Sequence, residues 1–153
     1  MAKLQDIIQW CDQTLKSTEF KDYAPNGLQI EGKTEVHKIL AAVTASQDAI
    51  DAAIRENVDL LLVHHGYFWK GEAYPITGMR GKRIKSLIQH DISLLAYHLP
   101  LDSHPSLGNN VAIADLLKLE RIEALDPSER HPIGNIGYLN QPMPVEDLSL
   151  IHI

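Results

Sequence analysis

Four stretches of the chain repeat apolar residues every three or four positions, which is the spacing of one face of an α-helix. They cover residues 4–15, 46–57, 80–91 and 109–119. Ser46 opens the second stretch and predicts an N-cap, because its hydroxyl can accept a hydrogen bond from the first helical turn. We therefore predict four amphipathic helices that each bury one face.

Short continuous apolar runs lie between these helices. Residues 39–45, 60–63 and 92–98 read ILAAVTA, LLLV and ISLLAYH, and runs of this length next to helices indicate buried strands. Strands that alternate with helices are typical of βαβ units, in which neighbouring strands run parallel. The sequence therefore predicts an α/β fold with a mostly parallel sheet and helices packed on it.

Less regular segments flank this pattern. Residues 22–32, DYAPNGLQIEG, combine a turn signal with a short strand at 28–30, and they either connect two elements or shape a pocket. Residues 123–132 are predicted to be a loop, and residues 133–139 a strand that contains glycine. Pro144 suits the first turn of a further helix.

The regular pattern of strands and helices fills residues 1–132, which we interpret as an N-terminal α/β lobe. The last stretch, PMPVEDLSLIHI, reads as the start of something new. Asn109 or Asn110 is expected to cap the fourth helix. The alternative for His104 and Asn109 is that they hold a neighbouring metal-binding side chain in place.

Histidines stand at the ends of two predicted strands. His64 and His65 follow the 60–63 strand, and His98 ends the 92–98 strand. Successive parallel strands joined by right-handed crossovers end at the same edge of a sheet, where α/β proteins bind ligands. Asp102 follows closely enough to face that edge, and imidazole and carboxylate groups together suit zinc, iron or manganese. We predict that these four residues bind metal, and the adjacent histidines serve either two ions or one ion and a substrate.

Alternatives remain open for residues around these strand ends. Each histidine taken singly is also compatible with an ordinary half-buried, hydrogen-bonded side chain. Tyr67, Phe68 and Trp69 either stack on a ring, with Lys70 near a phosphate, or cover the sheet edge or an oligomer contact. The basic residues of 80–85 indicate a solvated helix face, with phosphate capture as the second interpretation.

Composition limits the classes of partner. The formal net charge of -6 argues against general binding to nucleic acid or to anionic membranes. Cys11 is the only cysteine, so an intrachain disulfide is excluded and a reducing compartment is favoured. No apolar run approaches the roughly 20 residues of a membrane span. We therefore expect a cytoplasmic protein.

Four motifs in this order and spacing resemble one protein family. The segments DYAPNGLQIEG, VTAS, VHHGYFWKG and HLPLDSHPSLGNN are similar to those of the GTP cyclohydrolase I type 2 homolog family, also called NGG-interacting-factor-three-like, and in particular to its bacterial YbgI-type members. The resemblance covers nearly the whole chain. It implies that the chain is the first half of a two-lobed fold with a dinuclear metal centre in its cleft. Residues 133–153 would then be the beginning of a second lobe that is truncated.

The resemblance also implies a site and an activity. The family's ligands from its first half match His64, His65, His98 and Asp102, which would hold two divalent ions. It further implies a hexameric ring and a metal-dependent hydrolase that acts on GTP or a similar purine nucleotide. The alternative from another class is a metal-binding regulatory or scaffold protein without turnover.

One departure from the family pattern bears on activity. Family members are longer, and a histidine and a glutamate near their C-terminus complete the metal site. This sequence shows no such pair before Ile153. We interpret the chain either as a fragment or as a shorter variant whose open metal positions are filled by water or by another subunit.

Overall fold

The computed structural model describes residues 1–150, and the side chains of residues 1–148. The strands are β1 (Ala2–Lys3), β2 (Gly27–Ile30), β3 (Glu35–Val36), β4 (Ile39–Thr44), β5 (Leu60–His65), β6 (Ser93–Ala96), β7 (Leu119–Ala124) and β8 (Asn135–Leu139). The helices are α1 (Leu4–Leu15), α2 (Gln47–Arg55), α3 (Gly78–Gln89), α4 (Leu99–Ser103), α5 (Asn109–Leu116) and α6 (Val145–Leu150). None of the helices described is long and apolar enough to cross a membrane.

A four-stranded sheet in the order β2-β6-β5-β4 forms the centre of the first part of the chain. Strands β4, β5 and β6 are mutually parallel, and β2 pairs with β6 in the antiparallel direction. The predicted α/β fold with a mostly parallel sheet is therefore confirmed. The antiparallel partner β2 derives from the short strand predicted after the DYAPNG turn.

Helix α1 covers one face of this sheet. Its residues Leu4, Ile8 and Cys11 pack in one cluster with Leu60 of β5 and Leu95 of β6. Both leucines of the sheet are fully buried, and each contributes roughly 1.5–3 kcal/mol relative to an exposed side chain. Cys11 is thus a core residue, as its place on the amphipathic stripe predicts.

Helices α2 and α3 cover the opposite face. Leu61 and Leu94, the next residues along β5 and β6, pack in a second cluster with Ile50 of α2 and Leu87 of α3. Successive residues of a strand point to opposite faces of the sheet, and helices cover both faces here, so β5 and β6 are apolar on both sides. The predicted N-cap is also present, since the Ser46 hydroxyl accepts a hydrogen bond from the Ala49 N–H.

Strand β4 is less buried than its continuous apolar run predicts. It lies at the edge of the sheet, where Leu40 and Ala42 pack against the α2 and α3 side. On its other face Ile39 and Val43 are 48% and 70% exposed. The expectation of full burial is wrong here because an edge strand has a neighbour on one side only and α1 packs over β5 and β6.

The chain divides into two compact units, Met1–Leu101 and Asp102–Ile153. This boundary differs from the predicted one at residue 132, because β7 and β8 pair with each other across that position. Strand β7 was predicted neither as a strand nor as a partner of 133–139. Whether the later residues begin a second lobe stays a prediction, and residues 151–153 lie outside the described part.

Two details of the second unit differ from the sequence prediction. Helix α5 ends at Leu116, and its N-cap residue is Gly108, without a side-chain cap. The predicted caps Asn109 and Asn110 therefore lie within the helix. The Asn110 side chain instead donates a hydrogen bond to the Ile133 carbonyl group.

Candidate metal centre

The parallel register brings the two histidine-bearing strand ends together. Val63 pairs with Ala96 across β5 and β6, and His98 follows β6 by two residues. On the other side of β5, His65 pairs with Thr44 of β4. Strand β5 extends through His65, two residues beyond the predicted end, so both adjacent histidines still belong to the strand.

His64, His65 and His98 form what we call the histidine cluster. Each ring offers one nitrogen, and these three atoms lie within 4.8 Å of one another. The His64 ring centroid is 4.4 Å from that of His65 and 5.0 Å from that of His98. The prediction that these three histidines converge at one sheet edge is confirmed, although their role as metal ligands stays a prediction.

Each ring of the cluster is oriented by a partner at Nδ1. The His64 Nδ1 lies 3.0 Å from the Tyr97 carbonyl oxygen, and the His65 Nδ1 lies 3.1 Å from the Thr44 hydroxyl. A carbonyl oxygen only accepts, so the His64 Nδ1 donates this hydrogen bond and its Nε2 points away from the Tyr97 carbonyl group. Nitrogen Nε2 is then the atom that would coordinate a metal.

Asp22 orients the third ring. Its Oδ1 accepts a hydrogen bond of 2.8 Å from the His98 Nδ1, and its side chain is only 3% exposed. Its Oδ2 accepts from the Asn26 amide at 3.0 Å and from the Leu99 N–H at 2.9 Å. The arrangement is a carboxylate–histidine pair of the kind that supports metal ligands in proteins.

The charge on Asp22 is stabilised by these contacts. Burial raises the pKa of the Asp22 carboxyl, but the hydrogen bonds from His98, Asn26 and Leu99 outweigh burial, so the pKa lies below its ordinary value. Asn26 also accepts a 2.7 Å hydrogen bond from the His98 N–H. The DYAPNG segment therefore shapes the site, the second of the two interpretations given above.

Asp22 itself was missed by sequence reasoning. The signal available was an aspartate four residues before an asparagine in a proline-containing turn, which is common in ordinary loops. Only the pairing of β2 with β6 brings this turn to His98. Sequence spacing alone does not reveal that pairing.

The aromatic residues after the histidines have separate roles. Tyr67 is buried and donates a 2.7 Å hydrogen bond to the Ala45 carbonyl oxygen, and burial raises the pKa of its hydroxyl to about 12. The Trp69 ring meets the His98 ring edge-on at 4.9 Å and lies 6.0 Å from the His65 ring. Tyr67 therefore belongs to the core, whereas Trp69 packs beside the histidine cluster.

Gly66 is required by the close approach of its neighbours. A Cβ atom at this position would collide with the Gln29 side chain and with the Cβ atom of Ala96. The Gln29 Oε1 accepts a 2.7 Å hydrogen bond from the Tyr67 N–H and so fixes the turn. The glycine after the histidine pair thus lets the chain turn directly beside β6.

The remaining predicted residues are placed as follows. The Asp102 carboxylate, at the start of the second unit, accepts a 2.9 Å hydrogen bond from the Asn109 amide. Asn109 therefore supports the predicted ligand Asp102, whose own role as a ligand stays a prediction. The His104 Nδ1 accepts hydrogen bonds from the Ser106 and Leu107 N–H groups and orders the loop.

The basic cluster on α3 has a structural explanation in part. Arg80 forms a 2.7 Å ion pair with Glu72 and donates hydrogen bonds to the carbonyl oxygens of Ala73 and Pro75. Its side chain is only 17% exposed. Arg80 therefore holds the loop between β5 and α3 in place. Its guanidinium group is engaged in these contacts and not in binding a phosphate.

The donors of the cluster fit a borderline divalent cation. Imidazole nitrogens are preferred by zinc, iron and similar ions, and bond lengths of about 2.1 Å separate tetrahedral ligands by about 3.4 Å. The 4.8 Å spread of the three ring nitrogens is larger by little more than 1 Å. Small ring rotations would therefore close the cluster on an ion.

The chain is similar to known proteins over most of its length. The chain is 52% identical over 145 residues to a Haemophilus influenzae protein named "GTP cyclohydrolase 1 type 2 homolog". The matched region covers 94% of this chain and 57% of the relative. A Pseudomonas aeruginosa protein of the same name is 47% identical over 146 residues, covering 95% of this chain and 58% of the relative. The chain thus spans little more than half the length of these relatives.

Solved structures share the fold. A structure described as "protein ybgI, unknown function" is 45% identical with a TM-score of 0.88, covering 98% of this chain and 59% of the other. Reduced HcgD from Methanocaldococcus jannaschii is 28% identical with a TM-score of 0.81, covering 98% and 58%. The model of the family Duf34/NIF3 (NGG1p interacting factor 3) matches residues 2–151. The resemblance read from the motifs is confirmed, and this chain belongs to the Duf34/NIF3 family.

Proposed function

We propose that the chain binds divalent metal through His64, His65 and His98, with Asp102 as the fourth ligand and two ions of zinc, iron or manganese in the complete site. The observation that carries the proposal is the histidine cluster, whose ring nitrogens lie within 4.8 Å of one another. The partners of the three Nδ1 atoms support it further, because they orient each Nε2 as a ligand would require.

We further propose that the metal site serves a hydrolase acting on a GTP-like purine nucleotide. The name of the relatives, which refers to GTP cyclohydrolase, supports this substrate class. A divalent ion bound there would supply Lewis acidity and an activated water for hydrolysis. The residues of this chain hold the site in place: Asp22 orients His98, and the Trp69 ring packs edge-on against the His98 ring.

Metal content per chain tests the ligand assignment. The protein is purified without an affinity metal, and bound ions are counted by elemental analysis beside the intact mass. We expect close to two ions per chain in the parent protein and a clear loss in His65→Ala and in Asp102→Ala. His90→Ala is the matched control, since its ring is exposed and bonds to the Ser86 carbonyl oxygen of its own helix.

The outcome separates the two parts of the proposal. Equal metal content in the parent and in both ligand variants would show that these residues are not the ligands. Release of product from GTP, measured with and without added Mn²⁺ or Zn²⁺, then tests hydrolysis. Bound metal without turnover would favour the regulatory or scaffold alternative.

The assembly and location of the protein are further proposals. A hexameric ring is the homo-oligomer implied by the family resemblance, and a cytoplasmic location follows from the composition. The related structures support an oligomer only by their similar fold. Light scattering of the purified chain gives the oligomer mass directly.

A further inference from the structure

A groove with aromatic walls lies next to the histidine cluster in the first unit. Its volume is about 530 Å³, within the roughly 300–1,000 Å³ of small-molecule sites. Asp22 forms part of its wall and at the same time bonds the His98 ring. A molecule in this aromatic groove would therefore lie one side chain away from the proposed metal site.

Three aromatic rings line the groove. Phe20 and Phe68 are partly buried, whereas Tyr23 is 62% exposed although it faces the cavity. The backbone of Phe68 has a φ angle of 67°, an uncommon conformation for a bulky residue and one that is concentrated at functional sites. These rings offer flat apolar surfaces on which a planar ring of a ligand could stack.

Asp12 supplies a fixed acceptor in the groove. Its Oδ1 accepts hydrogen bonds from the Ser17 hydroxyl at 2.7 Å and from the Tyr97 hydroxyl at 3.0 Å. Both bonds end on the same oxygen, so Oδ2 keeps its capacity for donors on a ligand. Guanine offers a carboxylate two adjacent donors, N1–H and its amino group, whereas adenine offers one amino donor beside the N1 lone pair, which a carboxylate repels.

Lys70 adds a positive charge to the aromatic rings and the carboxylate of the groove. Its side chain is exposed at the rim of the groove, and its backbone N–H donates a 2.6 Å hydrogen bond to the Tyr23 carbonyl oxygen. That bond joins the two segments that form the walls. An ammonium group in this position suits the phosphate of a nucleotide whose base stacks in the groove.

The geometry points to the aromatic groove as the site that binds the base of a guanine nucleotide, with Asp12 as the specificity-determining residue. The inference deepens the proposed function and rests on it for the choice of a purine nucleotide. The base of the nucleotide stacks on Tyr23 and Phe68, and the donor edge of the base faces Asp12. The phosphate of the nucleotide faces Lys70. Selection of guanine over adenine follows from the Asp12 carboxylate alone.

The test uses protein stripped of metal by a chelator, so that it does not depend on the metal site. Binding of guanosine monophosphate and of adenosine monophosphate is measured by calorimetry at constant ionic strength. We expect guanosine monophosphate to bind at least about tenfold more tightly, which is the effect of one hydrogen bond to a charged group. Equal affinity for the two nucleotides, or no binding of either, would overturn the inference.

Asp12→Asn is the decisive variant. The asparagine oxygen can still accept from Ser17 and Tyr97, while the new amide replaces the Oδ2 acceptor with a donor. We expect loss of the preference for guanosine monophosphate with an unchanged fold, checked by circular dichroism. Retained preference in a folded Asp12→Asn protein would show that Asp12 does not read the base.

A matched tyrosine pair keeps the test independent of any folding defect at Asp12. Tyr23→Ala should weaken binding of guanosine monophosphate by about tenfold or more, the usual effect of losing one stacking ring. Tyr74→Ala is the control, because Tyr74 is 99% exposed and lies outside the groove. Equal affinities for these two variants would contradict binding in the groove. Failure of this test with normal metal content would leave the proposed metal site standing.

Discussion

Replacing Asp22 by asparagine separates support of the metal site from stability of the fold. The carboxylate accepts four hydrogen bonds at 2.5 to 3.0 Å, two at Oδ1 from His98 and the Tyr23 N–H and two at Oδ2 from Asn26 and the Leu99 N–H. Asparagine keeps one acceptor oxygen and turns the other position into a donor. Each oxygen serves two of the four donors, so two donors lose their acceptor, and the Asp22 side chain is only 3% exposed.

The magnitude follows from these contacts. A buried donor left without an acceptor costs about 1–3 kcal/mol, so we expect Asp22→Asn to lower the free energy of unfolding by about 2 kcal/mol. Loss of the negative charge behind His98 also weakens the ring as a ligand. Changes of this kind typically reduce metal affinity by about 10–100-fold, which corresponds to about 1.4–2.7 kcal/mol.

Asp59→Asn is the matched control for stability. Asp59 is likewise a buried carboxylate; its three donors are the Lys33 ammonium group and the His37 and Lys38 N–H groups, and none of these belongs to the histidine cluster. Urea unfolding should show a similar loss of stability in both variants. Only Asp22→Asn should lose affinity for Zn²⁺ in competition with a chromophoric chelator.

The Zn²⁺ affinities of the two variants show whether Asp22 supports His98 as a metal ligand. If Asp22→Asn and Asp59→Asn bound Zn²⁺ with the same affinity as the parent protein, the His98 ring would not be a ligand that depends on Asp22. If both lost affinity equally, the effect would come from general destabilisation. Either result would refute the reasoning from the carboxylate–histidine pair.

Three further predictions concern the fold. Leu94→Ala should lower the free energy of unfolding by about 2–5 kcal/mol in urea titrations because the residue is fully buried, whereas Ile88→Ala, 57% exposed, should change it far less. Gly66→Ala should cost about 1–3 kcal/mol by the same measurement, because its Cβ would collide with neighbouring side chains. The hydrogen bond from Lys33 lowers the pKa of Asp59 most, so its stabilisation is complete above the ordinary value of 3.8 and is lost as pH falls through the lower folded pKa. The stability difference between the parent and Asp59→Asn should therefore shrink below about pH 4, and a constant difference down to pH 2 would contradict this assignment.

Local periodicity explains why much of the fold is predictable from sequence. The bounds 4–15 of the first helix agree with α1, and Ser46 caps α2 as predicted, because both depend on residues within one or two helical turns. The convergence of His65 and His98 is also predictable, since the handedness of a βαβ crossover fixes which strand ends meet.

The missed features depend on contacts between distant segments. Strand β7 has no apolar alternation of its own and exists through its pairing with β8. The exposed face of β4 results from its position at the edge of the sheet, which the apolar run 39–45 does not encode. Strand order, unlike helix position, is not a property of a short window of sequence.

The sequence by itself determined the family, the α/β class and the three histidines of the proposed metal site, because these depend on short motifs and on the rules of strand connection. Only the tertiary structure decided what orients those histidines. The bond between Asp22 and His98 joins residues 76 positions apart, and the Asp12 bond to Tyr97 joins residues 85 positions apart. Such contacts arise from the packing of α1 and β2 around β6, and their geometry is set by the folded chain as a whole.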